Sequence, residues 1–209
     1  MSASLEFETA VSTETSIFHI AGLDEAGRGA LAGPVVAAAV ILPLQSQTAL
    51  AEFAHVNDSK QLSAKKRETF YARITQHALT YGIGVINANV IDEIGIIPAT
   101  KLAMKTAVSQ LTPLAEYLLI DGRIRLKDLN LPQQSIIKGD SKSISIAAAS
   151  ILAKVTRDRL MVEQDSHYPE YCFAQHKGYG TQLHRDHIEK LGPCPIHRHT
   201  FAPIRKPII

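Results

Sequence analysis

Two adjacent carboxylates, Asp24 and Glu25, follow an apolar run that begins at Ile20, and a glycine-flanked arginine comes straight after in Gly27-Arg28-Gly29. Hard divalent cations take several oxygen ligands, and acids at the ends of strands supply them. The glycines allow close backbone approach, and an arginine between them suits a phosphate or a sugar edge. Metal ligands beside an anion reader point to phosphodiester chemistry.

Further acids fit the same purpose. Asp121 follows Tyr117-Leu-Leu-Ile120, which places it at the carboxyl end of a strand, where open α/β sheets bind ligands. An aspartate before Gly122 is also an ordinary turn residue. Asp158 continues the stripe Ile144, Ala147, Ile151, Val155 at helical spacing, so a charge ends an apolar face. A carboxylate there needs a cation, and Lys154, Arg157 or Arg159 would serve as well as a metal. Asp24 and Glu25 alternate across a regular strand, so both reach one site only if the strand breaks, for which Gly27 is placed. Gathered together, these acids would repel one another unless cations neutralise them. Two divalent ions roughly 4 Å apart clamp the attacking water and the leaving oxygen of an in-line displacement.

The elements that must position these residues read as an α/β layered core. Strands are expected over residues 17–23, 35–42, 81–88, 116–121 and 135–138. The second is apolar on both faces, hence covered. Helices are expected over 64–79 after the cap Ser63, over 89–111 with an interruption at Gly95, over 141–162, and over 181–191. From about residue 168 the composition turns to Pro, Tyr, His and Gly, a C-terminal helical cap on a catalytic domain spanning 17–209. The first sixteen residues, rich in Ser, Thr and Glu, read as a disordered tail without the features of a signal peptide.

The chain has 209 residues, 45% of them apolar, and a net charge of +2. That is one large domain, with no apolar run long enough to span a membrane. Two cysteines make no disulfide framework, so a reducing cytoplasm is expected. The tail holds three acids and no Lys or Arg, and the end of the chain is basic, with six Lys/Arg against two acids from His176 to Lys206. Such a face favours a polyanionic partner. A monomer is expected, since no amphipathic helix is left over. Cys194-Pro-Ile-His197-Arg-His199 lacks a fourth ligand for zinc.

Gly22-Leu-Asp-Glu-Ala-Gly-Arg-Gly29, Asn57-Asp-Ser-Lys60, Ile120-Asp-Gly122, the run from Gly139 to Lys154, Arg157-Asp158, and His176-Lys-Gly-Tyr-Gly-Thr181 with His184 occur in one order. In these segments the chain resembles ribonuclease HII, the type-2 ribonuclease H of bacteria. The resemblance implies an RNase H-like fold: a mixed five-stranded sheet flanked by helices, with a C-terminal helical segment. It implies magnesium- or manganese-dependent endonucleolytic cleavage of RNA in RNA–DNA hybrids. It also implies incision 5′ of single ribonucleotides in duplex DNA, leaving 3′-hydroxyl and 5′-phosphate ends. The family's acidic quartet maps onto Asp24, Glu25, Asp121 and Asp158. Its 2′-hydroxyl reader maps onto Gly27, Arg28 and Gly29, and its junction-sensing tyrosine onto Tyr179. The 2′-hydroxyl marks a ribonucleotide off from DNA, and reading it needs close backbone approach.

Lys60, Lys142 and Lys154, with Ser141 at an expected helix start, are phosphate-contact candidates. Cys172 stands where the family more often has glycine. The sister family ribonuclease HIII usually has a lysine in place of Arg28 and an added N-terminal domain. A non-catalytic nucleic-acid-binding module would not need the acids, and a broader nuclease of the same fold would not need Gly-Arg-Gly.

Overall fold

The computed structural model describes residues 3–54, 56, 59 and 62–204. Elements follow in the order α1 (Glu6–Thr15), β1 (Ile20–Ala26), β2 (Val35–Ile41), α2 (Gln47–Ala51), α3 (Ala64–His77), β3 (Thr80–Ile86), α4 (Ala88–Ile94), α5 (Ile96–Ser109), β4 (Tyr117–Asp121), β5 (Gln133–Ile136), α6 (Ile144–His167), α7 (Phe173–His176) and α8 (Gln182–Leu191). The sheet order is β3-β2-β1-β4-β5. The β1–β2 and β2–β3 pairs are antiparallel, while β1–β4 and β4–β5 are parallel. This is the expected mixed five-stranded sheet flanked by helices, the architecture of the RNase H-like fold.

Every residue of β2 is buried, because helices cover both faces of the sheet. Met104, Ala107 and neighbours of α5 pack with Leu23, Val35 and Ile120 on one side. On the other side Ala147, Ile151 and Val155 of α6 meet Val36, Ala38 and Val40. Gly22 lets α6 lie directly on β1. A Cβ there would stand 2.2 Å from the Ser145 carbonyl carbon, so the central helix and the acid-bearing strand are fixed to each other backbone to backbone.

The N-terminal segment departs from the disordered tail that its composition suggests. Residues Glu6–Thr15 form a helix, and Glu8 within it is fully buried. One Glu8 carboxylate oxygen, Oε1, accepts hydrogen bonds from Ser143 Oγ at 2.6 Å, Ser145 N at 2.9 Å and Ser145 Oγ at 2.6 Å. A carboxylate among the unpaired amides of a helix start is favoured by both hydrogen bonding and the helix dipole. Composition reads such a residue as solvated, because it does not register a partner more than a hundred residues away.

Candidate active site

β1 runs unbroken through Asp24 and Glu25 to Ala26. In the parallel pair Leu23 stands opposite Ile120, so Asp24 and Asp121, each one residue further on, lie side by side at the carboxyl ends of neighbouring strands. Asp24 shares the α6 face with its partner Ala38. Strand alternation sends Glu25 to the opposite face. All three acids nevertheless line one cavity of about 420 Å³ at the end of the sheet, together with Gly27, Arg28, Ser59, Ser150, Lys154 and Tyr179. The strand break expected at Gly27 comes just after both acids. β1 ends just past Glu25, and the chain turns at Gly27 with φ +93°.

Asp24 is buried, and its carboxyl is pushed well above the usual carboxylate range. Desolvation is the main cause, followed by the neighbouring charges of Glu25 and Asp121, and more weakly Asp140. Its Oδ1 accepts from Glu25 N at 2.7 Å, which offsets part of that cost. Asp121 Oδ1 accepts from Gly139 N at 2.6 Å. Glu25 Oε1 holds Arg28 at 3.0 Å.

Asp158 lies outside this cavity. It lines an adjoining groove that shares Lys154 and Tyr179 with it. Its Oδ1 is 2.7 Å from Lys154 Nζ, the pairing that helical i,i+4 spacing allows. Among the described residues no three His, Cys, Asp or Glu side chains are arranged to hold a metal ion as they stand. The donor chemistry still fits a hard divalent cation: acidic oxygens converge on a buried carboxyl that carries the cost of its like-charged neighbours.

Lys154 Nζ and the Arg157 guanidinium stand 5.2 Å and 5.0 Å from the centre of the Tyr179 ring, a cationic seat for an aromatic platform. Gly27 and Gly29 differ in kind. A Cβ on Gly27 would fall 2.0 Å from Arg157 Nε, whereas a Cβ on Gly29 would meet nothing within 4 Å. Gly27 is a packing requirement, and Gly29 leaves open backbone facing outward.

The helix expected from Ser141 begins instead at Ile144 with Ser143 as its cap. Ser141 sits in the preceding 3-10 turn, Gly139–Ser141, and donates to Lys138 O at 2.9 Å. Lys138 turns that segment with φ +56°. Both Ser141 and Ser143 read as helix-start serines in the sequence, and Ser143 is the one that caps. The amides at the α6 start already serve Glu8, so Ser141 and exposed Lys142 sit beside the helix end and not at it. Neither lines the acid cavity. Lys60, with Asn57 and Asp58 of its segment, lies outside the described residues.

The loop between β1 and β2 is held by two fully buried arginines. Arg157 donates to the carbonyls of Pro34, Lys177 and Ala32 at 2.8, 2.9 and 3.0 Å. Arg198 donates to Gly33 O and Arg28 O. Burial lowers both guanidiniums, Arg198 to about 9 with Arg157 adding repulsion. Arg198 of the basic C-terminal end is thus turned inward, where with Arg157 it clamps the Gly-Arg-Gly loop, while Lys177, Arg185 and Lys190 are not buried.

Comparison with known proteins fits this geometry. The family model described as Ribonuclease HII matches residues 21–204. The chain belongs to the ribonuclease HII family. The ribonuclease HII of Geobacter metallireducens is 57% identical over 190 residues, covering 90% of this chain and 86% of that one. The ribonuclease HII of Syntrophotalea carbinolica is 53% identical over 188 residues, covering 90% and 87%. Among solved structures, the ribonuclease H2 of Pyrococcus horikoshii superposes with a TM-score of 0.75 at 25% identity, covering 89% of this chain and 95% of that one. Bst-RNase HIII, solved in complex with Mn2+, shares the fold at 18% identity with a TM-score of 0.66, covering 88% and 67%.

The protein is accordingly a ribonuclease H, an endonuclease that hydrolyses RNA in RNA–DNA hybrids. No helix among the described residues is long and apolar enough to cross a membrane. In ribonuclease HII terms, residues carrying no assigned role in the sequence reading stand around the acids. Ser59 Oγ and Ser150 Oγ are 2.6 Å apart in the cavity wall, and Asp140 acts on Asp24 through its charge. All three lie in segments that carry the resemblance, Asn57-Asp-Ser-Lys60 and the run from Gly139 to Lys154.

Proposed function

We propose that this ribonuclease HII cuts on the 5′ side of a ribonucleotide, including one embedded singly in duplex DNA, and leaves 3′-hydroxyl and 5′-phosphate ends. The observation that carries the reading is the shared cavity of Asp24, Glu25 and Asp121 beside Gly27, Arg28 and Tyr179. Magnesium or manganese, held by Asp24, Glu25 and Asp121 with Asp158, would supply an activated water and neutralise charge on the scissile phosphate.

The chain's own residues do the rest. Glu25 holds Arg28 at the cavity mouth, so the guanidinium meets a sugar edge from a fixed position. Gly29, with open space at its Cβ position, admits the ribose against backbone, where a main-chain group senses the 2′-hydroxyl. Tyr179 provides a flat surface for the deoxyribose that follows, where an added hydroxyl would clash. Lys154 joins both parts of the site. Asp158 pairs with Lys154 through Oδ1, so its second oxygen would be the one to hold an ion while the ammonium stays beside the site. Ser141 and Lys142 contribute phosphate contacts further along the strand, and Lys60 is a further candidate for a phosphate contact.

The test is a duplex carrying one central ribonucleotide, end-labelled and incubated with magnesium or manganese. A single product cut 5′ of the ribonucleotide, with a 3′-hydroxyl, is expected. Cleavage on its 3′ side, or ends bearing a 3′-phosphate, would contradict the reading.

A further inference from the structure

Behind Tyr179 lies a row of buried imidazoles that the chemistry above does not use. His184 and His197 are fully buried, with His176 almost so. His184 Nδ1 is 3.0 Å from Tyr179 O, and His184 Nε2 is 3.0 Å from His197 Nε2. His197 Nδ1 is 2.9 Å from Cys194 N and 3.1 Å from Cys194 Sγ.

These contacts fix where the protons sit. A carbonyl oxygen only accepts, so His184 Nδ1 carries the proton and His184 Nε2 is a lone pair. His197 Nε2 must then donate, which leaves its Nδ1 to accept from the Cys194 amide and thiol. Burial keeps that thiol protonated by pushing it up. Reversing the chain would set the His184 Nδ1 lone pair against Tyr179 O. Cys194 O also lies 3.2 Å from His197 Nδ1 but already accepts from His197 N. One direction alone gives the Tyr179 carbonyl a donor and the Cys194 amide an acceptor: Cys194 to His197 to His184 to the Tyr179 carbonyl.

The segment this relay ends on needs support. Lys177 and Gly178 are both left-handed, with φ +51° and +77°, a turn that persists only when its surroundings over-determine it. His176 stacks on His184 at 4.2 Å, accepts from Gly178 N at 3.1 Å, and donates to Tyr171 O at 2.7 Å. Tyr179 itself bridges to Ala30 in the loop after Gly29. The imidazoles therefore set the height at which the Tyr179 ring meets the cavity.

We infer that His197 and His184 are positioning residues for Tyr179, and through it set the preference between single embedded ribonucleotides and continuous RNA–DNA hybrids. This deepens the proposed function and rests on Tyr179 touching the sugar at the junction.

The test compares kcat/KM on a single-ribonucleotide duplex and on a uniform hybrid for the parent, Tyr179→Ala, His197→Phe, His197→Gln and the Tyr179→Ala/His197→Phe pair. His197→Phe keeps the ring volume and loses the donor, whereas glutamine can place an N–H near the Nε2 position. A misplacement of about 1 Å costs up to about a hundredfold in rate, so a smaller displacement giving a shift of roughly tenfold in the substrate ratio is expected for His197→Phe. Tyr179→Ala should shift the ratio in the same direction, His197→Gln should restore it, and the double variant should go no further than Tyr179→Ala. Equal loss on both substrates, or additivity in the double variant, would overturn the inference. An unchanged ratio in Tyr179→Ala would instead refute the role of Tyr179. Nitrogen-15 imidazole spectra of the unaltered enzyme provide a readout that no folding defect can affect. The protons must sit on His184 Nδ1 and His197 Nε2, and the opposite tautomers would overturn the inference.

Discussion

The imidazole pair predicts how the fold responds to acid. His184 and His197 are each lowered from 6.5 to about 4, mainly by burial. The groups facing His184 are His197, His176, His187 and the Tyr179 carbonyl, and His184 in turn faces His197. Those facing His197 are Cys194, His199, His176 and the Tyr171 ring. The folded state therefore binds fewer protons than the unfolded chain between pH 4 and 6.5. Stability is fully present above pH 6.5 and falls as the pH drops toward 4. Between pH 7 and pH 5 the linkage amounts to about 2 kcal/mol per ring. The rings share a hydrogen bond, so the pair contributes somewhat less than twice that.

Replacing His197 with glutamine removes one titrating ring and keeps a donor toward His184. Urea unfolding of the parent and His197→Gln at pH 7 and pH 5 isolates the term, because the carboxylates titrate in both proteins. The difference in stability between the two proteins should change by about 2 kcal/mol across that interval, the parent losing more. Parallel losses would show that the ring is already protonated or solvent-reached in the native state, and would refute the tautomer argument.

Further perturbations separate packing from chemistry. Gly27→Ala should unfold the loop or fail to accumulate, since its Cβ would overlap Arg157. Gly29→Ala should melt like the parent yet lose at least about tenfold in kcat/KM, because a methyl group holds the ribose off the backbone. Glu8→Ala should cost roughly 1–3 kcal/mol in urea unfolding by leaving buried donors at the α6 start unmet, while active-site geometry and metal dependence stay as they were. Cys172, left-handed at φ +57°, should gain roughly 1 kcal/mol on replacement by glycine, measured as a higher melting temperature.

Much of the site was legible because its residues end apolar runs. Asp24 and Asp121 close strands whose hydrophobic patterns are plain, and parallel pairing then sets them side by side. Glu25 was harder, since alternation argued against it. The cavity sits at the strand end, where both faces meet. Asp158 ends an apolar stripe as its spacing implies, and of the cations its neighbourhood offered, Lys154 is the one its carboxylate rests on. Residues 7 to 11 carried a faint signal, Phe7 and Val11 at helical spacing with Glu8 between them. Composition outweighed it, because a charge reads as solvated until its distant partners are known. The basic C-terminal stretch divides: Lys177, Arg185 and Lys190 are not buried, while Arg198, His184 and His197 are spent inside the fold, largely on main-chain atoms that no side-chain pattern reveals.

We propose that catalysis is concentrated at Asp24, a buried carboxyl that the metal needs and that hybrid binding and the fold do not. Cleavage of a labelled RNA–DNA hybrid by Asp24→Asn in magnesium, read beside its binding of the same hybrid, tests this directly. Hydrolysis should fall to background while binding persists. Hydrolysis close to the parent rate would contradict it.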